Sequence, residues 1–235
     1  MDRMILRRRK QRKISFLSLA SPPVKRRAVW FMGYQQEKLQ QAVKGRIMVA
    51  IDAANLEQSV KSMKVKAEDV PLALFHCQPE ELCWRVDYGN LVKFFTESLS
   101  DVAIHYYTPA FGHESHERFL VYLRKELGII IHTKSVKEIV GQESSHLKRK
   151  ANFDVELAVD TVLNIDNYDV LILFSGDSDF VYLVNILKGK NRRVIVFSRT
   201  GHVARELLAA ANYYYNVADF RRELLRVAKS TRSRP

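Results

Sequence analysis

Asp169-Val170-Leu171-Ile172-Leu173-Phe174-Ser175-Gly176-Asp177-Ser178-Asp179-Phe180 is an apolar run that ends in two aspartates one residue apart at a glycine turn. A short continuous apolar run bounded by polar residues needs cover on both faces, which predicts a buried parallel strand over 170–174. Carboxylates at the C-terminal end of such a strand fall where open α/β sheets place their ligands. Upstream, Ile47-Met48-Val49-Ala50-Ile51 runs into Asp52 and, three residues later, Asn55. Two strands therefore deliver acidic groups to one edge.

A third acidic segment lies between them, Asn152-Phe153-Asp154-Val155-Glu156-Leu157-Ala158-Val159-Asp160. Asn152 can cap a helix whose first turn holds Asp154 and Glu156, a placement the helix dipole favours. Val155, Ala158, Val159 and Val162 recur at helical spacing and are expected to form its buried stripe. Glu156 reads as a solvated carboxylate, and Asp160 as a structural residue on another side of the helix. An aspartate after a strand can equally be a turn or cap residue. Three acidic sites converging in one topology favour a functional pocket, because crowded carboxylates repel and a divalent cation relieves that repulsion.

Ile51-Asp52-Ala53-Ala54-Asn55-Leu56, Lys150-Ala151-Asn152-Phe153-Asp154-Val155-Glu156-Leu157-Ala158-Val159-Asp160 and Ser175-Gly176-Asp177-Ser178-Asp179-Phe180, in that order, resemble the three motifs of the NYN domain, LabA-like branch, among the PIN-like nucleases. The resemblance spans about residues 46 to 218. It implies an α/β, Rossmann-like (PIN-like) parallel sheet with helices on both faces, and an acidic pocket that binds Mg²⁺ or Mn²⁺ and hydrolyses RNA phosphodiester bonds. By motif, Asp52, Asp154, Asp177 and Asp179 are the implied metal ligands and catalytic residues, with Asn55 and Ser175 orienting ligands, water or phosphate. Ala53-Ala54 and Ala151 depart from residues common in the family without removing a carboxylate.

The chemistry independently suits these residue types. Mg²⁺ prefers hard oxygen ligands and is usually held by one or two carboxylates plus substrate phosphate. Such an ion can activate water and offset charge on the attacked phosphate. An acidic pocket alone repels a polyanion, so flanking cations are needed to hold it. Lys150, which closely precedes Asp154, and Lys134 at the end of a strand are the candidates.

Two other classes compete. A non-catalytic RNA-binding or scaffold module would keep the fold and cations but normally lose metal ligands, whereas all four acidic positions stand here. A metal-dependent phosphatase would also use aspartates at strand ends, but there is no Gly-rich phosphate loop and no Asp-x-Asp-x-Thr motif.

Of the formal charge of +12, residues 1–46 carry +11. Arg7-Arg8-Arg9-Lys10-Gln11-Arg12-Lys13 and the Ser- and Pro-containing sequence after it predict a disordered basic arm over 1–45. It can hold RNA phosphates through counterion release, be an organellar transit peptide, or be sequence upstream of a later start at Met32 or Met48. At 235 residues and 47% hydrophobic content the chain is ample for one core. Cys77 and Cys83 match neither a metal knuckle nor a disulfide framework, so a reducing, cytoplasmic setting is expected. His76, His113, His116 and His146 share no ligand spacing with them, which argues against zinc. No apolar run reaches a membrane span.

The remaining pattern predicts helices over 56–66, 86–99, 113–127, 153–165, 179–188 and 202–210, and strands over 102–107, 129–132 and 193–198, with an irregular insertion at 68–82. Tyr106-Tyr107 reads as core or rim aromatics, and Tyr213-Tyr214-Tyr215 as cover for the sheet edge. Residues 219–235 read as a basic amphipathic helix and tail, whose Leu224, Leu225 and Val227 can pack on the body or on a partner, a homodimer included.

Overall fold

The two apolar runs become β1 (Ile47–Asp52) and β7 (Val170–Phe174), paired in parallel with Ile47 beside Val170 and Ile51 beside Phe174. In this computed structural model, which describes residues 35–135, 137–138, 149–150 and 153–230, both are central strands with both faces covered. The sheet continues on one side through β3 (Val102–Ala110) to β4 (Ile130–Ser135), and on the other through β8 (Arg193–Ser198) to β9 (Tyr213–Asn216). All five pairings are parallel, and the chain starts in the middle, goes out one way, then returns to build the other half. The strand order therefore reverses between β1 and β7, and α/β sheets open a crevice at such a switch point.

Alternation along the strands divides the core into two layers. Ile47, Val49 and Ile51 of β1, with Val170, Ile172 and Phe174 of β7, face one layer, built on α2 (Ala53–Lys61), α3 (Tyr88–Ser98) and α4 (Glu114–Lys125). Here Phe174, Phe197 and Tyr215 stack across three strands, with centroids 4.9 and 5.3 Å apart. Met48, Ala50, Leu171 and Leu173 face the other layer, under α5 (Asp154–Leu163), α6 (Val181–Gly189) and α7 (Arg205–Ala210).

Several expectations are corrected. The arm does not extend to residue 45: residues 35–42 are helical (α1), and Leu39, Ala42 and Val43 are buried in the first layer. Their spacing is that of an amphipathic helix joined to the core, which the surrounding charge obscured; residues 1–34 lie outside the described part. The helix expected at 86–99 begins only at Tyr88, capped by Asp87, whose carboxylate accepts from the Asn90 amide at 3.0 Å. Before it, the irregular insertion resolves into three single-turn 3₁₀ segments and then β2 (Leu82–Val86).

The C-terminal segment is not a helix and tail. A single turn, α8 (Arg221–Leu224), leads into β10 (Leu225–Lys229), antiparallel to β2. Alternate burial in β2, with Leu82, Trp84 and Val86 inside, shows why a two-residue period wins here.

α5 buries a different face from the one its valines suggest. Leu157 and Thr161 are buried, while Val155 is 72% exposed and Val159 47%. Asp154, Leu157 and Thr161 stand three and four residues apart, so the face laid on the sheet is the one that carries Asp154. Asn152, the expected cap, lies outside the described residues, and Phe153 occupies the cap position without a side-chain bond. Among the described residues, no helix is long and apolar enough to cross a membrane.

Candidate metal centre

β1 stops at Asp52 because its side chain turns back to cap α2: Oδ1 accepts from the Asn55 amide at 3.2 Å. Oδ2 accepts from the buried Ser175 hydroxyl at 3.2 Å, tying the end of β1 to the end of β7. The link is doubled by Asn55, whose Oδ1 accepts from the Gly176 amide at 2.9 Å. Gly176 has no room for a side chain, since a Cβ there would lie 1.9 Å from the His202 carbonyl oxygen. The Ala204 amide donates to the Gly176 carbonyl from the same loop. The turn is thus clamped between α2 and the loop after β8, a contact made by residues with no acidic motif of their own.

Beyond that turn, Asp177 caps a 3₁₀ segment, its Oδ1 accepting from the Asp179 amide at 3.0 Å. Asp154, Asp177 and Asp179 each offer a carboxylate oxygen, and these lie within 4.8 Å of one another. Asp52 stands beside this trio rather than in it. Burial, chiefly, raises its pKa above the ordinary range, and the charges of Asp154 and Asp177 raise it further, although the Asn55 and Ser175 bonds act against this. A donor set made wholly of carboxylate oxygens fits a hard divalent ion such as Mg²⁺ or Mn²⁺ and offers nothing soft to zinc.

The two expected cations fare differently. Lys134 is an ion-pair partner, its Nζ 2.6 Å from Glu156 and 4.7 Å from the centre of the Phe153 ring. That hydrogen bond holds the Glu156 carboxyl below its usual range, so Glu156 is not merely solvated. Lys150 lies in a two-residue strand, β6 (Arg149–Lys150), paired with β5 (Lys137–Glu138).

Sequence reading also missed a histidine pair behind α5. His105 Nδ1 lies 3.0 Å from His132 Nε2, and His132 Nδ1 lies 3.0 Å from Asp160 Oδ2. Tyr107 stacks on His132 with centroids 4.3 Å apart. Burial, then the neighbouring His132, lowers the His105 pKa to about 4. The array joins β3 and β4 to α5, the helix that brings Asp154 to the pocket. Neither histidine has a sequence partner at helical or knuckle spacing, so only strand pairing could bring them together.

A parallel α/β sheet with three carboxylates at its switch point defines a class of acidic-pocket domain. The NYN domain family model matches residues 46–218, and the chain belongs to that family, whose domains are of PIN-like, nuclease type. The Low amplitude and bright protein LabA of Synechococcus elongatus is 34% identical over 96 residues, 40% of this chain and 52% of that protein. The chain thus spans about half the length of this curated relative. In shape it is similar to a protein of unknown function, VPA0982, from Vibrio parahaemolyticus, with a TM-score of 0.54. That similarity covers 77% of this chain and 96% of the other at 20% identity, a likeness of fold alone.

Proposed function

We propose that the chain is a metal-dependent ribonuclease that hydrolyses RNA phosphodiester bonds at the switch-point pocket. The observation that carries the reading is the convergence of Asp154, Asp177 and Asp179 from a helix and a turn that are far apart in sequence. A bound cation would relieve the mutual repulsion of three neighbouring carboxylates, and their place at a ligand-binding crevice supports a metal site. These three residues would hold the ion, with Asp52 beside them. A bound Mg²⁺ or Mn²⁺ supplies water activation and charge compensation at phosphate.

The protein's own groups supply geometry. Ser175 donates to Asp52 and Asn55 accepts from Gly176, so the turn carrying Asp177 and Asp179 is fixed relative to α2 before substrate arrives. Preorganised charge of this kind costs no rearrangement during reaction. Lys150 is the proposed phosphate-holding cation. Lys134, engaged by Glu156, instead anchors the first turn of α5.

Incubating the purified chain with a labelled single-stranded RNA, and with a mononucleotide phosphatase substrate, over a series of Mg²⁺ and Mn²⁺ concentrations tests the reading. RNA cleavage that rises with either ion and stops in EDTA is expected, with the monophosphate left intact. Full cleavage in excess chelator, or release of phosphate alone, would overturn it; tight RNA binding without cleavage would leave a scaffold module.

A further inference from the structure

The carboxyl ends of β3 and β8, together with α2, carry a second group of side chains. β3 ends at Ala110, and Gly112 just beyond it, at φ 67°, turns the chain through the left-handed region toward α4. Phe111 is left on that turn with its ring 41% exposed, 5.0 Å from the ring of His116. β8 ends at Ser198, and Arg199 and His202 follow in the loop that clamps Gly176. Phe111, His202 and, from α2 and its C-cap, Gln58, Lys61 and Ser62 line one open hollow of about 580 Å³. That volume lies in the range of ordinary small-molecule sites.

The charge at this hollow comes from Arg199, which is half-buried. Its Nη1 donates to the Ser59 carbonyl at 3.2 Å and to the Ser62 hydroxyl, and lies 3.4 Å from His202 Nε2. Ser62 Oγ lies 3.1 Å from the same imidazole nitrogen, so the guanidinium sits against two residues of the wall. Ser59 is in the last turn of α2, where the helix dipole favours a cation. These partners are neutral. They position the guanidinium without cancelling its charge, and Arg199 has no carboxylate partner among the described residues. Nε and Nη2, which those bonds do not use, form the edge that matches phosphate bidentately. Lys61, the other cation of the hollow, is already paired with Glu57 at 3.1 Å.

Gln58, exposed and without a hydrogen bond among the described residues, adds an amide that can both donate and accept. A guanidinium, a free amide and an exposed aromatic ring around one hollow match the phosphate, the base edge and the base face of a nucleotide. A simple organic anion would leave the ring unused, and a bare base would leave the guanidinium unused.

We propose that this hollow binds a nucleotide unit, with its phosphate on Arg199, its base on Phe111 and Gln58 at the base edge. A free mononucleotide and a nucleotide within an RNA strand offer the same chemistry, and the test separates them. Isothermal titration calorimetry of the full chain in EDTA, with AMP, adenosine and a short oligoadenylate as probes, reads binding without cleavage. Failure here therefore leaves the nuclease reading untouched.

AMP should bind, and adenosine about tenfold more weakly for want of the charge-assisted bonds. Phe111→Ala should weaken AMP and adenosine alike, about tenfold, through lost stacking. Arg199→Gln should weaken AMP about tenfold and leave adenosine unchanged, a selectivity that a general loss of structure would not produce. Because Arg199 also holds Ser59 and Ser62, the melting temperature of that variant is recorded alongside, while Phe111, exposed on its turn, tests the site without touching those bonds. Oligoadenylate binding that weakens in both variants supports the site and assigns the unit to a strand. AMP binding that weakens in both, with oligoadenylate indifferent to them, supports the site and assigns it to a free mononucleotide. No binding of AMP, or AMP affinity unchanged in either variant, would overturn the proposal.

Discussion

Asp52 and Asp177 are held by strand ends, whereas Asp154, which must meet Asp177, rides on a helix. The strand aspartates inherit their positions from the parallel ladder and from short bonds between neighbouring strand ends, Ser175 to Asp52 and Asn55 to Gly176. Asp154 is placed by how α5 lies on the sheet: through Leu157 and Thr161 beneath it, through Asp160 on the His132–His105 pair, and through Glu156 on Lys134. One half of the site is fixed by backbone pairing. The other half depends on packing and on a titratable anchor, which makes it the more easily disturbed.

The largest effect tests the first half. Asp177→Asn removes the charge of a proposed ligand but keeps an acceptor for the Asp179 amide, so RNA cleavage should fall on the order of a thousandfold with the fold retained. Its melting temperature without metal should hold or rise, because carboxylate repulsion is relieved. Turnover and thermal unfolding of the same preparation check both, and wild-type turnover would remove Asp177 from the site.

The next effect tests which face of α5 carries it. Leu157→Ala leaves a void against the sheet and should cost about 3 kcal/mol. Val159→Lys, on the outward stripe, should change stability by less than about 0.5 kcal/mol. Denaturant unfolding of the two variants reads the difference, and equal losses would mean that the valine stripe is the buried one after all.

The smallest effect concerns the anchor. The folded chain binds a proton on His105 only near pH 4, whereas the unfolded chain does so near the ordinary histidine value. Stability is therefore full above about pH 6.5 and declines as pH falls toward 4, by roughly 2 kcal/mol from this residue once the full shift is discounted for solvent screening. Denaturant midpoints measured at neutral and mildly acid pH should show the decline, and His105→Gln should flatten it. A flat wild-type profile would detach the histidine pair from the stability of α5.

The same contrast explains what was readable in the chain. β1 and β7 were legible because strands buried on both faces must be continuously apolar, and Asp52, Asn55, Ser175 and Asp177 follow them at fixed offsets. α5 was legible as a helix but not in its orientation, since Val155, Val159 and Val162 outweigh Leu157 in any pattern yet face outward. β10 was hidden for a related reason: Leu224, Leu225 and Val227 suit a helix stripe as readily as a strand, and only pairing with β2 separates the two.

By itself, the sequence determined the parallel α/β sheet, the acidic edge and the residues that could bind an ion, because buried strands and strand-end turns are local constraints on residue type. Tertiary structure alone decided that Asp154, Asp177 and Asp179 form the trio while Asp52 serves as a cap beside it. It also decided that His105 meets His132 across two strands, and that β10 pairs with β2 across most of the chain's length. These are long-range contacts. Their partners are chosen by register and packing between segments far apart in sequence, which no spacing along the chain encodes.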